Sequence, residues 1–223
     1  MKLTTLQQAL IPTTSQALIE SFIKPEGKIF LLYGERMIFK LSMLMISHML
    51  SRGTSLALID GCNGFNIHAI TTFAREKRLD PDLLLKHIFI SRGFTCYLME
   101  AAITNRFPIL LRMINSSTGV VFGLLDTFYD EQVPPRKAEE LLTRVILTLQ
   151  EAKNNGISLL LACREWNVLP AERNNLFEQL KETMDGVYRV TLDEAQTPHL
   201  SFEQQARKKG THPYGTNSTH LHQ

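Results

Sequence analysis

The sequence predicts an α/β fold: a mostly parallel central sheet with helices on both faces and a β-hairpin near the C-terminus. Three observations carry that expectation. From Lys28 onward, short apolar runs alternate with longer amphipathic ones. Two of the runs, GVVFGLLD (119–126) and ISLLLAC (157–163), are apolar with hardly a break, as strands covered on both faces are. The last two, VYRVTL (187–192) and HLSF (199–202), stand close enough to form a hairpin. Strands alternating with helices imply parallel neighbours joined by right-handed crossovers.

The elements follow in order. KIFLLYG (28–34) reads as the first strand, and Met37 to Ser51 as an apolar helix behind it. Arg52-Gly53 turns the chain into a second strand, SLALID (55–60). A helix follows from about Asn66 to Arg78, with Ile67, Ile70 and Phe73 on one face. Asp80-Pro81 opens a short helical segment, since proline suits the first helical position after an aspartate cap. HIFISR (87–92) is the third strand, with a helix over 95–106, and the fourth strand runs to Asp126. Pro134 and Pro135 start a long helix striped by Leu141, Leu142, Val145, Ile146 and Leu149, stopped by Asn154-Asn155-Gly156. The fifth strand, a helix over about 171–184 and the hairpin complete the domain. Residues 1–27 form a helical lead-in, 28–205 the core, and 206–223 a basic, histidine-containing tail with almost nothing to bury, read as disordered.

Composition narrows the function classes. The chain has 223 residues, 44% apolar and 21% charged, as ordinary soluble domains have. At this length folding buries roughly 70% of the surface of the unfolded chain, so neither disulfide nor metal is required. Cys62, Cys96 and Cys163 lie far apart and form no CxxC pair, which argues against a zinc module or a disulfide scaffold. The N-terminus has no apolar signal region, and Glu35, Arg36 and Lys40 interrupt the longest early apolar stretch. A soluble intracellular protein, cytoplasmic or nuclear, with no membrane partner is expected. The net charge of +2 neither requires nor excludes nucleic acid.

In such a sheet ligands bind at the carboxyl ends of the strands. After the first strand the chain reads Gly34-Glu35-Arg36-Met37-Ile38-Phe39-Lys40-Leu41. Against the phosphate-loop form G-x-x-x-x-G-K-[ST], only Gly34 and Lys40 fit. Phe39 adds bulk where backbone must approach phosphate, and Leu41 offers magnesium no hydroxyl. Asp126 closes the fourth apolar run, where an acidic residue would hold nucleotide-bound magnesium. Either Met37, Ile38, Phe39 and Leu41 form an apolar patch at the strand ends, or Ile38 and Leu41 turn inward with the helix.

Over roughly 25–165 the chain resembles the core of the RecA superfamily, specifically RadA-type recombinases and their paralogues. The resemblance is carried by PEGKIFLLYGE, SRGTSLALIDGCNGF, AREKRLDPDLLLKHIFISRGFT, GVVFGLLDTFYDE and the long helix before GISLLLAC, in that order. It implies a RecA-like P-loop fold in which Gly34, Lys40 and Asp126 are what remains of a nucleotide site. Cys62 falls where the family places its catalytic glutamate, and Cys163-Arg164 where it has a polar sensor. It further implies DNA contacts near Arg164 and Trp166, where an arginine and an aromatic hold a phosphate and stack on a base. The tail residues Arg207, Lys208 and Lys209 would add an electrostatic hold. A cysteine in a glycine-flanked loop invites a nucleophile reading, but no activating partner is evident, and we read Cys62 as incidental. The expectation is a catalytically degenerate RecA-like protein, not an enzyme, with no catalytic residue, metal or required cofactor. Its partners would be another RecA-like subunit or a DNA-repair protein, and DNA, in repair or homologous recombination. Two alternatives stand beside it: an ATP-binding protein with an altered phosphate loop that takes ATP and magnesium, and a scaffold or signalling module that kept only the fold.

Overall fold

The computed structural model of the chain describes residues 20, 26–165, 173, 175–194 and 198–205. Its strands are β1 (Ile29–Gly34), β2 (Leu56–Asp60), β3 (Ile88–Arg92), β4 (Thr118–Phe122), β5 (Ser158–Arg164), β6 (Gly186–Leu192) and β7 (Pro198–Gln205). The helices between them are α1 (Met37–Leu50), α2 (Ile67–Glu76), α3 (Pro81–Leu85), α4 (Cys96–Ala101), α5 (Phe107–Met113), α6 (Pro135–Asn154) and α7 (Asn175–Glu182). All seven strands form one sheet in the order β3-β2-β4-β5-β1-β6-β7. Every pairing is parallel except the β6–β7 hairpin, which is antiparallel with a bulge at Val187/Tyr188.

The apolar runs explain the layering. β1, β2 and β4 are buried at every residue, so both faces of the sheet must be covered. Connections β1→β2→β3 move one way along the sheet, and β3→β4→β5→β6 move the other way. Right-handed crossovers therefore send α1, α2 and α3 to one face and α4 to α7 to the opposite one. Two core clusters match this division. Ile38, Leu41, Met45 and Met49 of α1 pack with Phe30, Leu58 and Leu160. Leu141, Leu142 and Val145 of α6 pack with Leu31, Ile59 and Leu161. Each such side chain contributes roughly 1.5–3 kcal/mol when fully buried. Helix starts follow local chemistry: Asn66, Asp80 and Thr95 accept backbone N–H groups of His68, Asp82 and Leu98 at 2.9, 3.0 and 3.2 Å.

Two elements depart from the sequence expectation. The helix read over 95–106 runs on to Met113, through a π-helical turn over Ala102–Arg106. The N–H of Phe107 reaches back five residues to Ala102 O, so Pro108 falls in the first turn of a renewed α-helix, where its missing N–H costs nothing. The fourth strand stops at Phe122: Gly123 N–H still donates to Ala162 O of β5 at 2.8 Å, but its φ of +64° turns the chain out of the sheet. Leu124 and Leu125 continue the apolar pattern but turn into a 3-10 helix (Leu125–Thr127), and Asp126 rides on that turn.

Arg173, only 3% exposed, donates to Phe128 O (3.2 Å), Asp130 O (2.6 Å) and Val133 O, fixing the 128–133 loop in front of α6. No helix among the described residues is long and apolar enough to cross a membrane. The lead-in, except Glu20, Glu26 and Gly27, and the tail 206–223 lie outside the described residues.

Candidate functional site

At the carboxyl edge of the sheet, β2 lies beside β4 and β5 beside β1, and in each pair the following helices leave to opposite faces. A crevice opens at such a switch point. Here a cavity of about 690 Å³ lies between the start of α1 and the β2–α2 loop, with Arg164 of β5 at its side. Its wall carries three cationic side chains, Arg36, Lys40 and Arg164, and no carboxylate. Phe39 and Phe65 supply apolar surface, and Asn63, Asn66 and Thr72 polar groups.

The β1–α1 connection is short. Gly34 takes φ +123°, and a Cβ there would lie 2.2 Å from Val190 O. Only Glu35 and Arg36 separate it from α1, and Ile38 N–H already closes a turn on Glu35 O at 2.9 Å. Met37 to Lys40 are thus helical rather than wrapped in an open loop, and Lys40 stands exposed on the first turn. Ile38 and Leu41 are buried, while Met37 and Phe39 are half-buried, so the decayed loop presents no four-residue apolar patch. Phe39 lies edge-on to Phe122 with ring centroids 5.4 Å apart. Its ring also covers Gly64, where a Cβ would approach to 2.9 Å. Phe39 therefore braces the β2–α2 loop.

That loop is organised by Asp60, the last residue of β2 and fully buried. Its Oδ1 accepts Cys62 N–H (3.2 Å) and Gly64 N–H (2.9 Å), and its Oδ2 accepts Phe65 N–H (3.1 Å). Three amide donors hold the carboxylate, with no ion pair to it among the described residues, and the chain curls tightly enough to put Asn63 at φ 56°. Cys62 then lies over Gly123, where an added Cβ would fall 2.4 Å from the cysteine Cβ. Burial first, then the negative charges of Asp126 and Asp60, push the Cys62 thiol up to about 12. It is a neutral thiol at physiological pH, not a poised nucleophile.

Asp126 and Arg164 meet although 38 residues separate them, because β4 and β5 are neighbours. Arg164 Nε and Nη2 lie 2.9 and 2.6 Å from Asp126 Oδ1, with the aspartate side chain 8% exposed. Of the expected residues, the crevice brings Lys40 and Arg164 to one cavity and ties Asp126 to Arg164, while Gly34 stays at the strand end beneath. Trp166, Arg207, Lys208 and Lys209 lie outside the described residues. Asp60 and Phe39 escaped the sequence reading as organisers of the site. The signal for Asp60 was available, since an aspartate ahead of Gly61-Cys62-Asn63-Gly64 is an Asx-turn sequence. Among the described residues no cluster of His, Cys, Asp or Glu could hold a metal ion.

No protein-family model matches this chain, and no curated protein matches it either.

Proposed function

We propose that this chain is a catalytically degenerate RecA-like protein that works as a binding and assembly subunit and does not turn over ATP. The observation that carries the reading is the Arg164–Asp126 ion pair beside the neutral Cys62 thiol. Phosphoryl transfer of this class needs a phosphate cradle, a magnesium ion and a group that orients the attacking water. Magnesium asks for hard oxygen donors in near-octahedral array. Here Asp126 already carries a guanidinium, Leu41 is a buried hydrocarbon, and by the sequence resemblance Cys62 stands where a carboxylate would be. The residues do not fit a magnesium nucleotide. The mostly parallel sheet, covered on both faces and followed by a hairpin, agrees with the RecA-like reading. The assignment to DNA repair or recombination, with another RecA-like subunit, a repair protein or DNA as partner, rests on the sequence resemblance.

A second reading has its own support. Three cations and two aromatic rings around one cavity suit an anion with a flat apolar part, as a nucleotide is, held without metal. Two measurements separate the readings. Steady-state phosphate release from the purified chain should not exceed that of a Lys40→Ala, Asp126→Ala control, and release clearly above it overturns the proposal. ATP titrations with and without magnesium test the second reading: affinity that magnesium leaves unchanged supports it, and no affinity in either condition removes it. Recovery of a second RecA-like chain or a repair protein with the tagged chain supports the assembly role, and its absence counts against that role.

A further inference from the structure

Half of the twelve large apolar side chains exposed among the described residues gather at one edge of the sheet. Phe89 and Ile90 lie on β3, Phe94, Tyr97 and Leu98 follow it, and Leu83 precedes it on α3. Their exposures run from 37% to 56%. At about 200 Å² for each large side chain, they leave roughly 550 Å² of mainly apolar surface in water. Adjacent strand residues face opposite ways, so this surface flanks both sides of the edge rather than forming one patch, and apolar surface along an open edge marks a contact site.

The backbone beneath them is equally open. Among the described residues β3 pairs with β2 on one side and with no strand on the other. Leu56 N–H donates to His87 O at 2.9 Å, and Gly93 N–H donates to Asp60 O at 3.2 Å. That phase turns the amides of residues 87, 89, 91 and 93 toward β2, and points those of Ile88, Ile90 and Arg92 outward. Natural edges are blunted by proline, bulges or inward charges. This five-residue strand has none of these, and its one charge, Arg92, stands at its end.

We propose that β3 pairs antiparallel with β3 of a second copy of this chain, about a two-fold axis through Ile90. The symmetry suits the edge, because a two-fold axis normal to the sheet makes two identical strands antiparallel. With the axis at Ile90 the outward amides meet as hydrogen-bonded pairs, Ile90 with the partner's Ile90 and each Ile88 with the partner's Arg92. Phe89 then stands opposite the partner's Ser91. No like charges oppose in this register, whereas centring on Phe89 would set Lys86 against the partner's Arg92. At full burial the six side chains of both copies remove at most roughly 1,100 Å², and the strand backbones bring that upper bound to the 1,200–2,000 Å² of specific interfaces. This pairing does not depend on the function proposed above.

Light scattering on the full chain should report the mass of two copies at high micromolar concentration. Phe89→Lys should weaken the dimer at least about 100-fold while circular dichroism and the melting temperature stay as in the parent. Should Phe89→Lys fail to fold, Ile90→Lys or Phe89→Ser replaces it. Ile90→Cys places two thiols across the axis at about 5.5 Å between Cα atoms, within disulfide reach. With oxidised glutathione it should give a covalent dimer that the parent does not form. A chain that stays monomeric throughout overturns the proposal and leaves the edge to another protein's extended segment. So does a dimer that survives the substitutions, or one in which Ile90→Cys fails to link.

Discussion

Two aspartates stand a few residues apart in space at the carboxyl edge of the sheet, and they are held in opposite ways. Asp60 ends β2 and is satisfied by three backbone amides of its own loop. Asp126 sits on the turn after β4 and is paired through Oδ1 with a side chain from another strand, Arg164, which is 25% exposed. The first arrangement is architecture, because the donors cannot leave without unfolding the loop. The second is a counter-charge that a competing ion or anion could displace. A carboxylate at a strand end is therefore not by itself a sign of metal chemistry; the identity of its donors decides.

The sharpest way to break the comparison is to remove the buried carboxylate. Asp60→Ala leaves the Cys62, Gly64 and Phe65 amides without their acceptor and should cost about 3–5 kcal/mol, read by urea denaturation. Asp60→Asn keeps one acceptor oxygen and should cost clearly less. A loss under 1 kcal/mol for the alanine variant would mean that Phe39 and its packing on Gly64, not Asp60, hold the loop.

Arg164→Ala is expected to cost about 2 kcal/mol, less than a fully buried pair because the guanidinium is partly solvated. Magnesium at millimolar concentration should return part of that loss by supplying charge at Asp126, and should do nothing for Asp60→Ala. In a double-mutant cycle with Asp126→Ala the coupling should match most of the single-site loss. Additive losses would show that the pair is incidental, and with it the central support for a non-hydrolysing site.

The contrast also explains what could be read in advance. The four parallel core strands β1, β2, β4 and β5 were legible because strands buried on both faces must be apolar nearly throughout, and Asp80-Pro81 and Asn154-Asn155-Gly156 are local signals with local outcomes. The end of β4 was not, since Leu124 and Leu125 keep the apolar pattern while leaving the sheet; Gly123 inside the run was the only sign. The extension through Pro108 was hidden because a π-helical turn absorbs the missing N–H. The Arg164–Asp126 pair follows from strand order, which no spacing in the chain reveals, and it gives Arg164 an intramolecular partner where a DNA contact was expected.

The smallest effect concerns Cys62, which touches both halves of the comparison. Cys62→Ala removes a half-buried sulfur above Gly123 and should cost about 1 kcal/mol or less. Its titration is the more telling readout. The folded thiol is pushed up to about 12, by burial and then by Asp126 and Asp60, against an ordinary value of 9.0. The unfolded chain therefore ionises first, so the stability Cys62 supplies is intact below pH 9 and is lost between about 9 and 12. Cys163 is pushed up to about 12 by burial and Cys96 is raised as well, so all three make the parent lose stability as pH rises above 9. Cys62→Ala should lose less than the parent does. Iodoacetamide at pH 8, followed by peptide mass spectrometry, isolates the site: the native Cys62 should react at least about 100-fold more slowly than in urea, because only thiolate attacks. The same slowing in Asp126→Ala would assign it to burial and Asp60. Faster alkylation in that variant would show that the Asp126 charge reaches Cys62 in spite of its pairing with Arg164.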